Sequence, residues 1–333
     1  MKKFLKYLVA MVVVLTAGGA LFLYQQYNQF LVSEVFKQLP VTLEIKKGSS
    51  YSDFVSLVQA SGADEDELNW KLMAKFNQLE NKIKSGEFEI TEAFTPRELI
   101  EYIDGNNVKS YAVTLVEGLN WQQIKTQLLK NDFGKDLLDF SDEQLIQLLG
   151  VEASHLEGQF LPETYHYNKG DSAIDVLRRA HEDLKEALND AWNDRDSTVT
   201  LNTPYELLIM ASIIEKETAQ NNERNIISGV FHRRLQKGMR LQTDPTVIYG
   251  AGEQYAGDIT SAHLRQDNPY NTYTRAGLPP TPIAMASEAS IIAAAHPNEG
   301  KELYFVANRQ GGHTFSETYQ QHKEAVAAYL RGN

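Results

Sequence analysis

Residues 203–218 read TPYELLIMASIIEKET and predict one long helix in the last part of the chain. Thr203, Pro204 and Glu206 supply a hydroxyl at the N-cap, a proline at the first helical position and a glutamate three residues after the cap, which is a helix-capping signature. The next residues, 207–214, are almost all apolar, so the helix is expected to be buried on most sides. We predict that a larger mixed α+β domain surrounds it.

Two glutamates, Glu215 and Glu217, occupy the last turns of this helix. The negative end of the helix dipole and the apolar surroundings both disfavour a charged carboxylate, so both raise the pKa of a carboxyl group at this end. A carboxyl group that keeps its proton near neutral pH is what a general acid requires. The end of the helix is therefore a candidate catalytic site.

Only one of the two glutamates is expected to face a cleft, because side chains two residues apart lie roughly 200° apart around a helix. Glu217 shares its face with Met210, Ile213 and Ile214, whereas the face of Glu215 is smaller and more polar. We therefore predict Glu217 as the acid. The alternative interpretation is that both glutamates are helix-end residues in surface ion pairs. Their candidate partners are Lys216, Arg224 and Arg233.

The composition excludes several classes of protein. The chain has 333 residues with 44 acidic and 32 basic side chains, a formal net charge of −12, so no nucleic-acid partner is expected. It has no cysteine, which excludes disulfides, thiolate nucleophiles and iron–sulfur clusters. The eight histidines show no pair at a metal-binding spacing on one helix turn. We predict no metal site and no cofactor.

An uncharged apolar stretch, residues 7–24, follows Lys2, Lys3 and Lys6. As a helix it would be about 27 Å long, close to the hydrocarbon thickness of a bilayer. The lysines place its N-terminal end in the cytoplasm. A cleaved signal peptide is the alternative, although the apolar run continues past the small residues at 17–20.

The membrane interpretation divides the N-terminal part of the chain into three segments. They are a cytoplasmic tail at residues 1–6, a transmembrane helix at residues 7–24 and a neck at residues 25–40. We predict a single-pass protein of the cell inner membrane. The rest of the chain would then be periplasmic or otherwise extracytoplasmic.

A small β-α-α-β module is predicted at residues 41–106. Its strands alternate apolar and polar residues, and its helices carry apolar residues at helical spacing. The elements are a strand at 41–45, helices around 54–58 and 68–76, a strand at 86–90 and a helix that begins with the capping box at 95–98. The larger domain is predicted at residues 107–333, so the fold class is α+β.

Segments rich in glycine, proline and aromatic residues fill the region after the long helix. A sugar ring offers apolar C–H faces for aromatic stacking and hydroxyls for neutral hydrogen bonds, and a glycan groove is lined accordingly. We therefore expect the buried helix to back a groove for an uncharged, extended polysaccharide. The segments are residues 238–250, 268–273, 277–283, 296–298, 304–307 and 312–316.

Several motifs together resemble the YceG-like endolytic murein transglycosylases (the MltG family). They are ASIIEKET at 211–218, RLQTDPTVIYG at 240–250, YNTY at 270–273, GLPP at 277–280, AHP at 295–297, YFVA at 304–307 and GHTF at 312–315. Their order and spacing also agree, and the resemblance extends over essentially the whole chain. It implies a membrane-anchored enzyme of the bacterial envelope that cuts within nascent peptidoglycan strands, between N-acetylmuramic acid (MurNAc) and N-acetylglucosamine (GlcNAc).

The resemblance also implies roles for parts of the chain. The family's catalytic glutamate is the second of the Glu-Lys-Glu pair, which is Glu217, and Thr218 after it is similar to the Ser/Thr that follows the acid in lysozyme-like transglycosylases. The product would carry a 1,6-anhydro-MurNAc end. Residues 41–106 resemble a LysM module, although the turn at 47–50 departs from the Gly-Asp-Thr usual in LysM repeats. Glycan strands of peptidoglycan and peptidoglycan synthases are the implied partners.

Residue type and motif membership predict which side chains hold the glycan and orient the acid. They are Gln242, Thr243, Asp244, Asn271, Tyr273, His313 and Thr314. Asp244 stands between a threonine and a proline, where a turn residue is the commoner role and a second catalytic carboxylate is the alternative. Two rival functions stay open: a lysozyme-like hydrolase that uses Glu217 with Asp244 and a water, and a non-catalytic envelope scaffold that binds peptidoglycan.

Overall fold

The computed structural model describes residues 2–64, 66–79, 82–105, 107–252, 255 and 257–332. The chain divides into two compact units, one formed by Met1–Tyr111 with Tyr167–Asp171 and the other by Ala112–His166 with Ser172–Asn333. Helices and strands occur in both, which confirms the mixed α+β class. Three predicted segment ends, residues 1, 106 and 333, lie outside the described residues.

The first unit begins with a long apolar helix. Its elements are α1 (Lys2–Val32), β1 (Val41–Ile45), α2 (Tyr51–Ala60), α3 (Glu67–Asn77), β2 (Gly86–Ile90) and α4 (Pro96–Asp104). Over Phe4–Val32, α1 is long and apolar enough to cross a membrane, and its apolar window is not buried against the protein. It is therefore a candidate membrane span. Residues 25–32 of the predicted neck continue this helix, because they contain neither glycine nor proline.

The predicted β-α-α-β order is present in this unit. β1 and β2 pair antiparallel, with Val41 opposite Ile90 and Ile45 opposite Gly86. α4 begins, as its sequence predicts, with a capping box in which Thr95 and Glu98 bond each other's backbone N–H groups. Aromatic rings fill the core between sheet and helices. Phe54, Trp70 and Phe88 are among its largest fully buried side chains.

The second unit is mainly helical, with short strands. Its first elements are β3 (Ser110–Thr114), α5 (Trp121–Leu128), a 3-10 helix (Asp132–Asp139), α6 (Asp142–Leu149), β4 (Thr164–Asn168) and α7 (Ala173–Asn193). They are followed by α8 (Pro204–Glu217), α9 (Asn221–Gln236), α10 (Asp244–Ala251), α11 (Ser261–Arg265), α12 (Glu288–Ala295), β5 (Tyr304–Ala307), β6 (His313–Ser316) and α13 (Tyr319–Arg331). The first two residues of β3 and the last two of β4 are assigned to the first unit.

α8 is the centre of the core of the second unit. Residues 207–214 are all buried, and α7, α9 and α12 pack around the helix. Its start follows the capping signature, since the Thr203 side chain accepts a hydrogen bond from the backbone N–H of Glu206 and Pro204 occupies the first turn. Burying each large apolar side chain contributes about 1.5–3 kcal/mol. The helix is therefore a firm support for its last residue, Glu217.

Part of the glycine- and proline-rich region forms regular structure. α10 begins at Asp244, and Pro245 stands at its start, where a proline costs no hydrogen bond. Asp244 thus belongs to the first turn of a helix. β5 and β6 form an antiparallel hairpin in which Ala307 lies opposite His313.

Candidate active site

Glu217 ends α8 and contacts the residue that precedes α10. The hydroxyl of Thr243 donates a hydrogen bond to Oε1 of Glu217. Glu217 is partly buried, and the burial of its carboxyl group raises its pKa to about 7. The Thr243 hydrogen bond and the charge of His313 oppose this rise, while the charge of Asp244 adds to it. A carboxyl group with this pKa is about half protonated at neutral pH and can donate a proton.

Threonines hold Thr243 in place behind the acid. The backbone N–H of Thr243 donates to Oγ1 of Thr272 at 3.1 Å, and Oγ1 of Thr246 donates to the carbonyl oxygen of Thr243 at 2.7 Å. Gln242 adopts a left-handed backbone conformation with φ of 51°, which is uncommon for a residue with a side chain. Its N–H donates to the carbonyl of Thr272 at 3.2 Å. The segment before α10 is thereby fixed against Glu217.

Asp244 and Tyr273 form a second polar pair near the acid. The hydroxyl of Tyr273 donates to Oδ1 of Asp244 at 2.6 Å. Burial raises the pKa of Tyr273 well above its usual value, and the nearby carboxylate of Asp244 raises it further. Tyr273 therefore stays a neutral hydrogen-bond donor, and one oxygen of Asp244 is engaged by it.

Glu223, near the start of α9, orients His313 on β6. One oxygen of its carboxylate accepts a hydrogen bond from Nδ1 of His313 at 2.7 Å, and the other accepts from the backbone N–H of His313, also at 2.7 Å. The hydroxyl of Thr218, next to the acid, donates to the same carboxylate at 3.1 Å. Although burial acts to raise the pKa of Glu223, the bonds from His313 hold it below its usual value. A buried carboxylate thus links the residue after the acid to His313.

Several of these groups line one cavity of about 550 Å³, which we call the acid cavity. Five of the predicted site residues line it, and the hairpin β5–β6 and α13 close it from other sides. The five are Glu217, Gln242, Asp244, Tyr273 and His313. The structure therefore brings together residues that are far apart along the chain.

The other three predicted binding residues lie elsewhere. Thr243 lies behind Glu217 and bonds to it. Asn271 is fully buried, and its amide donates to the carbonyl of Gln266 at 2.7 Å, so it holds the loop before Tyr273. Thr314 is exposed on β6, where alternation turns it away from the side of His313.

Glu215 occupies a different environment from Glu217. Its carboxylate accepts hydrogen bonds from the backbone N–H of Ser287 at 3.0 Å and from the hydroxyl of Ser290 at 2.8 Å. Arg224 lies 3.7 Å away, and the side chains of both Glu215 and Arg224 are less than a tenth exposed. Glu215 therefore ties the end of α8 to the start of α12, in a buried ion pair rather than a surface one.

The sequence did not single out Glu223 or Arg234 as site residues. Nη1 of Arg234 donates to the carbonyl of Leu241 at 2.7 Å, and its guanidinium lies over the ring of Tyr304, 5.2 Å from the centroid. Both residues stand on α9 and are buried. No local sequence pattern identifies them, because they contact Leu303 and His313, which lie far along the chain.

Comparison with known proteins places the chain in a family. The YceG-like family matches residues 43–328. The chain is 29% identical over 338 residues to a Bacillus subtilis protein named endolytic murein transglycosylase, covering 95% of this chain and 91% of that protein. It is 25% identical over 354 residues to a Streptococcus pneumoniae protein of the same name, of whose length the match spans 63%.

A crystal structure of a YceG-like protein from Listeria monocytogenes is similar in fold. The TM-score is 0.53 at 29% sequence identity, and the match covers 86% of this chain and 98% of that one. Among the residues that the structure describes, no group of three or more His, Asp or Glu side chains could hold a metal ion. The extent of the family match and the motifs around Glu217 agree: this chain belongs to the YceG-like family.

Proposed function

We propose that the chain is an endolytic murein transglycosylase. It cleaves the bond between MurNAc and GlcNAc within nascent glycan strands and leaves a 1,6-anhydro-MurNAc end, in the course of cell-wall assembly. The class of enzyme, a lytic transglycosylase, is confirmed by the family and by the names of its relatives. The observation that carries the site assignment is Glu217, a carboxyl group with a pKa of about 7 at the wall of the acid cavity.

Glu217 acts first as an acid. Its protonated carboxyl group donates the proton to the glycosidic oxygen while the bond from that oxygen to C1 of MurNAc breaks. The sugar passes through an oxocarbenium-like state. The hydrogen bond from Thr243 stabilises the carboxylate that remains.

Glu217 then acts as a base. Its carboxylate takes the proton from the 6-hydroxyl of the same MurNAc, and O6 forms a bond to C1, which closes the 1,6-anhydro ring. The acid regains its proton and no water is consumed. Because the nucleophile belongs to the substrate, a second catalytic carboxylate is not needed, in contrast to hydrolases that use a pair.

The remaining site residues bind the strand or support those that do. Gln242, Asp244, Tyr273 and His313 face the acid cavity and offer hydrogen bonds to sugar hydroxyls and acetamido groups. Thr243 and Asn271 support the site without lining the cavity. Thr243 bonds to Glu217, and Asn271 holds the loop that carries Tyr273. Thr314 stands on the exposed side of β6, within reach of a strand that extends beyond the cavity.

The N-terminal part of the chain would keep the enzyme at its substrate. α1 spans the cell membrane once, with the N-terminus in the cytoplasm and the units that follow outside. The β-α-α-β order at 41–106 supports the interpretation of this segment as a LysM-like module, and peptidoglycan synthases are the partners that would supply nascent strands. Protease digestion of intact spheroplasts tests this topology, because only the outer part of the chain should be degraded.

Digestion of purified glycan strands tests the reaction. The full-length chain should yield fragments whose summed mass equals that of the strand, with anhydro ends detectable by mass spectrometry. Glu217→Gln should yield none, whereas Glu299→Gln, at an exposed glutamate outside the acid cavity, should match the wild type.

Two outcomes would support the rival functions. Products heavier by one water per cut would indicate a hydrolase, in which Asp244 would be the second carboxylate. An absence of cleavage by the wild type, together with full complementation of a deletion strain by Glu217→Gln, would indicate a scaffold.

A further inference from the structure

Glu217 lies on the boundary between two depressions of the second unit. One is the acid cavity. The other, which we call the junction, has a volume of about 400 Å³ and is lined by Gly118, Lys216 and Thr218 as well as by Glu217 itself. Residue 217 is therefore shared by two neighbouring depressions.

The junction continues into a larger depression, which we call the tyrosine groove. The groove has a volume of about 820 Å³ and shares Gly118 and Lys216 with the junction. Its lining includes Pro245, Ile248 and Tyr249 from α10, the helix that begins next to Thr243. A continuous surface thus leads from the acid cavity past Glu217 and Lys216 to the tyrosine groove.

The aromatic wall of this groove is held in a fixed arrangement. The rings of Tyr249 and Tyr270 lie 4.8 Å apart at 60°. The hydroxyl of Tyr249 donates to Oε2 of Glu157 at 2.9 Å, and that of Tyr270 lies 2.9 Å from Oγ1 of Thr281. Glu157 is in turn bonded by the backbone N–H of Trp121 at 3.0 Å. Both hydroxyls are thus satisfied within the protein, which leaves the partly exposed ring surfaces available for apolar contact.

The rim of the groove carries three neutral amides and one cation. Asn120, Gln122 and Gln123, at the start of α5, supply amides. Lys216 supplies a cation whose Nζ donates to the carbonyl of Gly118 at 2.9 Å. Apolar rings beside amides match the C–H faces and acetamido groups of an amino-sugar chain.

We propose that the tyrosine groove binds further sugars of the same glycan strand, beyond the bond that Glu217 cleaves. The inference rests on the proposed function. A strand cut in its interior continues in both directions from the acid, so an endolytic enzyme needs a surface on each side of it. The acid cavity supplies one side, and the tyrosine groove, reached across the junction, supplies the other.

Binding measured as a function of strand length tests the proposal. The full-length chain carrying Glu217→Gln is titrated with peptide-free oligosaccharides of alternating GlcNAc and MurNAc of increasing length. Affinity should rise as added sugars reach the groove. Adding Ile248→Ala and Gln122→Ala should weaken the binding of long oligosaccharides about tenfold and leave that of the shortest ligands unchanged.

Two controls separate groove contacts from effects on folding. Ile292→Ala changes an exposed isoleucine on α12 that does not line the groove, and it should leave the length dependence intact. Gln122→Ala alone alters an exposed side chain. It should also reduce the increase in affinity with oligosaccharide length, but by a smaller factor.

Different outcomes would contradict the groove proposal and the proposed function. If the variant with both substitutions keeps the full gain in affinity with length, the groove does not bind the strand, although cleavage by the wild type would still support the transglycosylase. If the wild type neither cleaves nor binds glycan, the proposed function fails, and the groove proposal fails with it.

Discussion

The hydroxyl of Thr243 donates a hydrogen bond to the carboxyl group of Glu217, so the residue before α10 touches the last residue of α8. The two residues are 26 positions apart in the chain. A donor at this place favours the ionised form of the carboxyl group and partly offsets the effect of burial on its pKa. The pKa of Glu217 is thus adjusted by a neutral group on a separate segment of the chain.

Replacing Thr243 by valine removes this donor at nearly constant volume. The pKa of Glu217 should rise above about 7, because the ionised form loses its hydrogen bond. In a profile of kcat/KM against pH, the alkaline limb should shift to higher pH by roughly one unit. Thr314→Val, on the exposed side of β6, should not move it. A limb that stays in place or moves to lower pH would contradict the assigned contact.

Glu217→Gln should stabilise the protein in alkaline solution. The folded chain binds the proton of Glu217 more tightly than the unfolded chain, so the wild type loses stability as pH rises from about 4.5 to about 7. The glutamine variant lacks this loss. Its apparent unfolding temperature should exceed that of the wild type by roughly 2–6 °C at pH 8 and equal it near pH 4. Calorimetry at both pH values checks this, with Glu299→Gln as the control that shows no such pH dependence.

Tyr273→Phe and Asp244→Asn should have overlapping effects on activity. Tyr273→Phe removes the 2.6 Å hydrogen bond between the two side chains, and Asp244→Asn weakens it because a neutral amide oxygen replaces the charged acceptor. Each should lower kcat/KM about tenfold. The double variant should lose less than the product of the two losses, with a coupling energy on the order of 1 kcal/mol. Independent, multiplying losses would show that the two groups do not act as a pair. Tyr329→Phe, which alters a hydroxyl outside the acid cavity, is the control.

Substitution of Glu223 should mainly lower activity, whereas substitution of Glu215 should mainly lower stability. Glu223→Gln weakens the contacts that orient His313 in the acid cavity, so kcat should fall about tenfold in protein that remains folded. Glu215→Gln weakens the tie between α8 and α12 and should mainly lower the unfolding temperature. Kinetics and thermal unfolding of both variants check the contrast. Equal kcat values for Glu223→Gln and the wild type would remove the positioning role of Glu223.

Local sequence patterns predicted several of the helices and strands, including the helix that carries Glu217. The capping signature at 203–206 and the apolar run after it gave α8, and period-two alternation gave the strand pair β1 and β2 with the bounds observed for both. The choice between the two glutamates came from helix geometry, and the structure places Glu217 at the acid cavity and Glu215 in an internal ion pair. These features depend on residues within a few positions of each other.

Long-range contacts were not predictable in the same way. Glu223 and His313 are hydrogen-bonded although they are 90 positions apart, and no local pattern in either segment predicts this contact. Asp244 appeared in a proline-containing stretch that resembles a turn, but a proline in the first turn is compatible with a helix, and α10 forms there. Binding residues that share a motif also separate in space, since His313 lines the acid cavity and Thr314 next to it does not.

The tie between Glu215 and α12 restricts what can move during a catalytic cycle. The last turn of α8 is anchored on one side by Ser287 and Ser290 and on the other by the neighbours of Glu217. Under the proposed function, Glu217 is a proton donor held in one place, and the glycan strand moves past it. Where along its length a strand is cut would then be set by how far it has been threaded, and not by any swing of the acid.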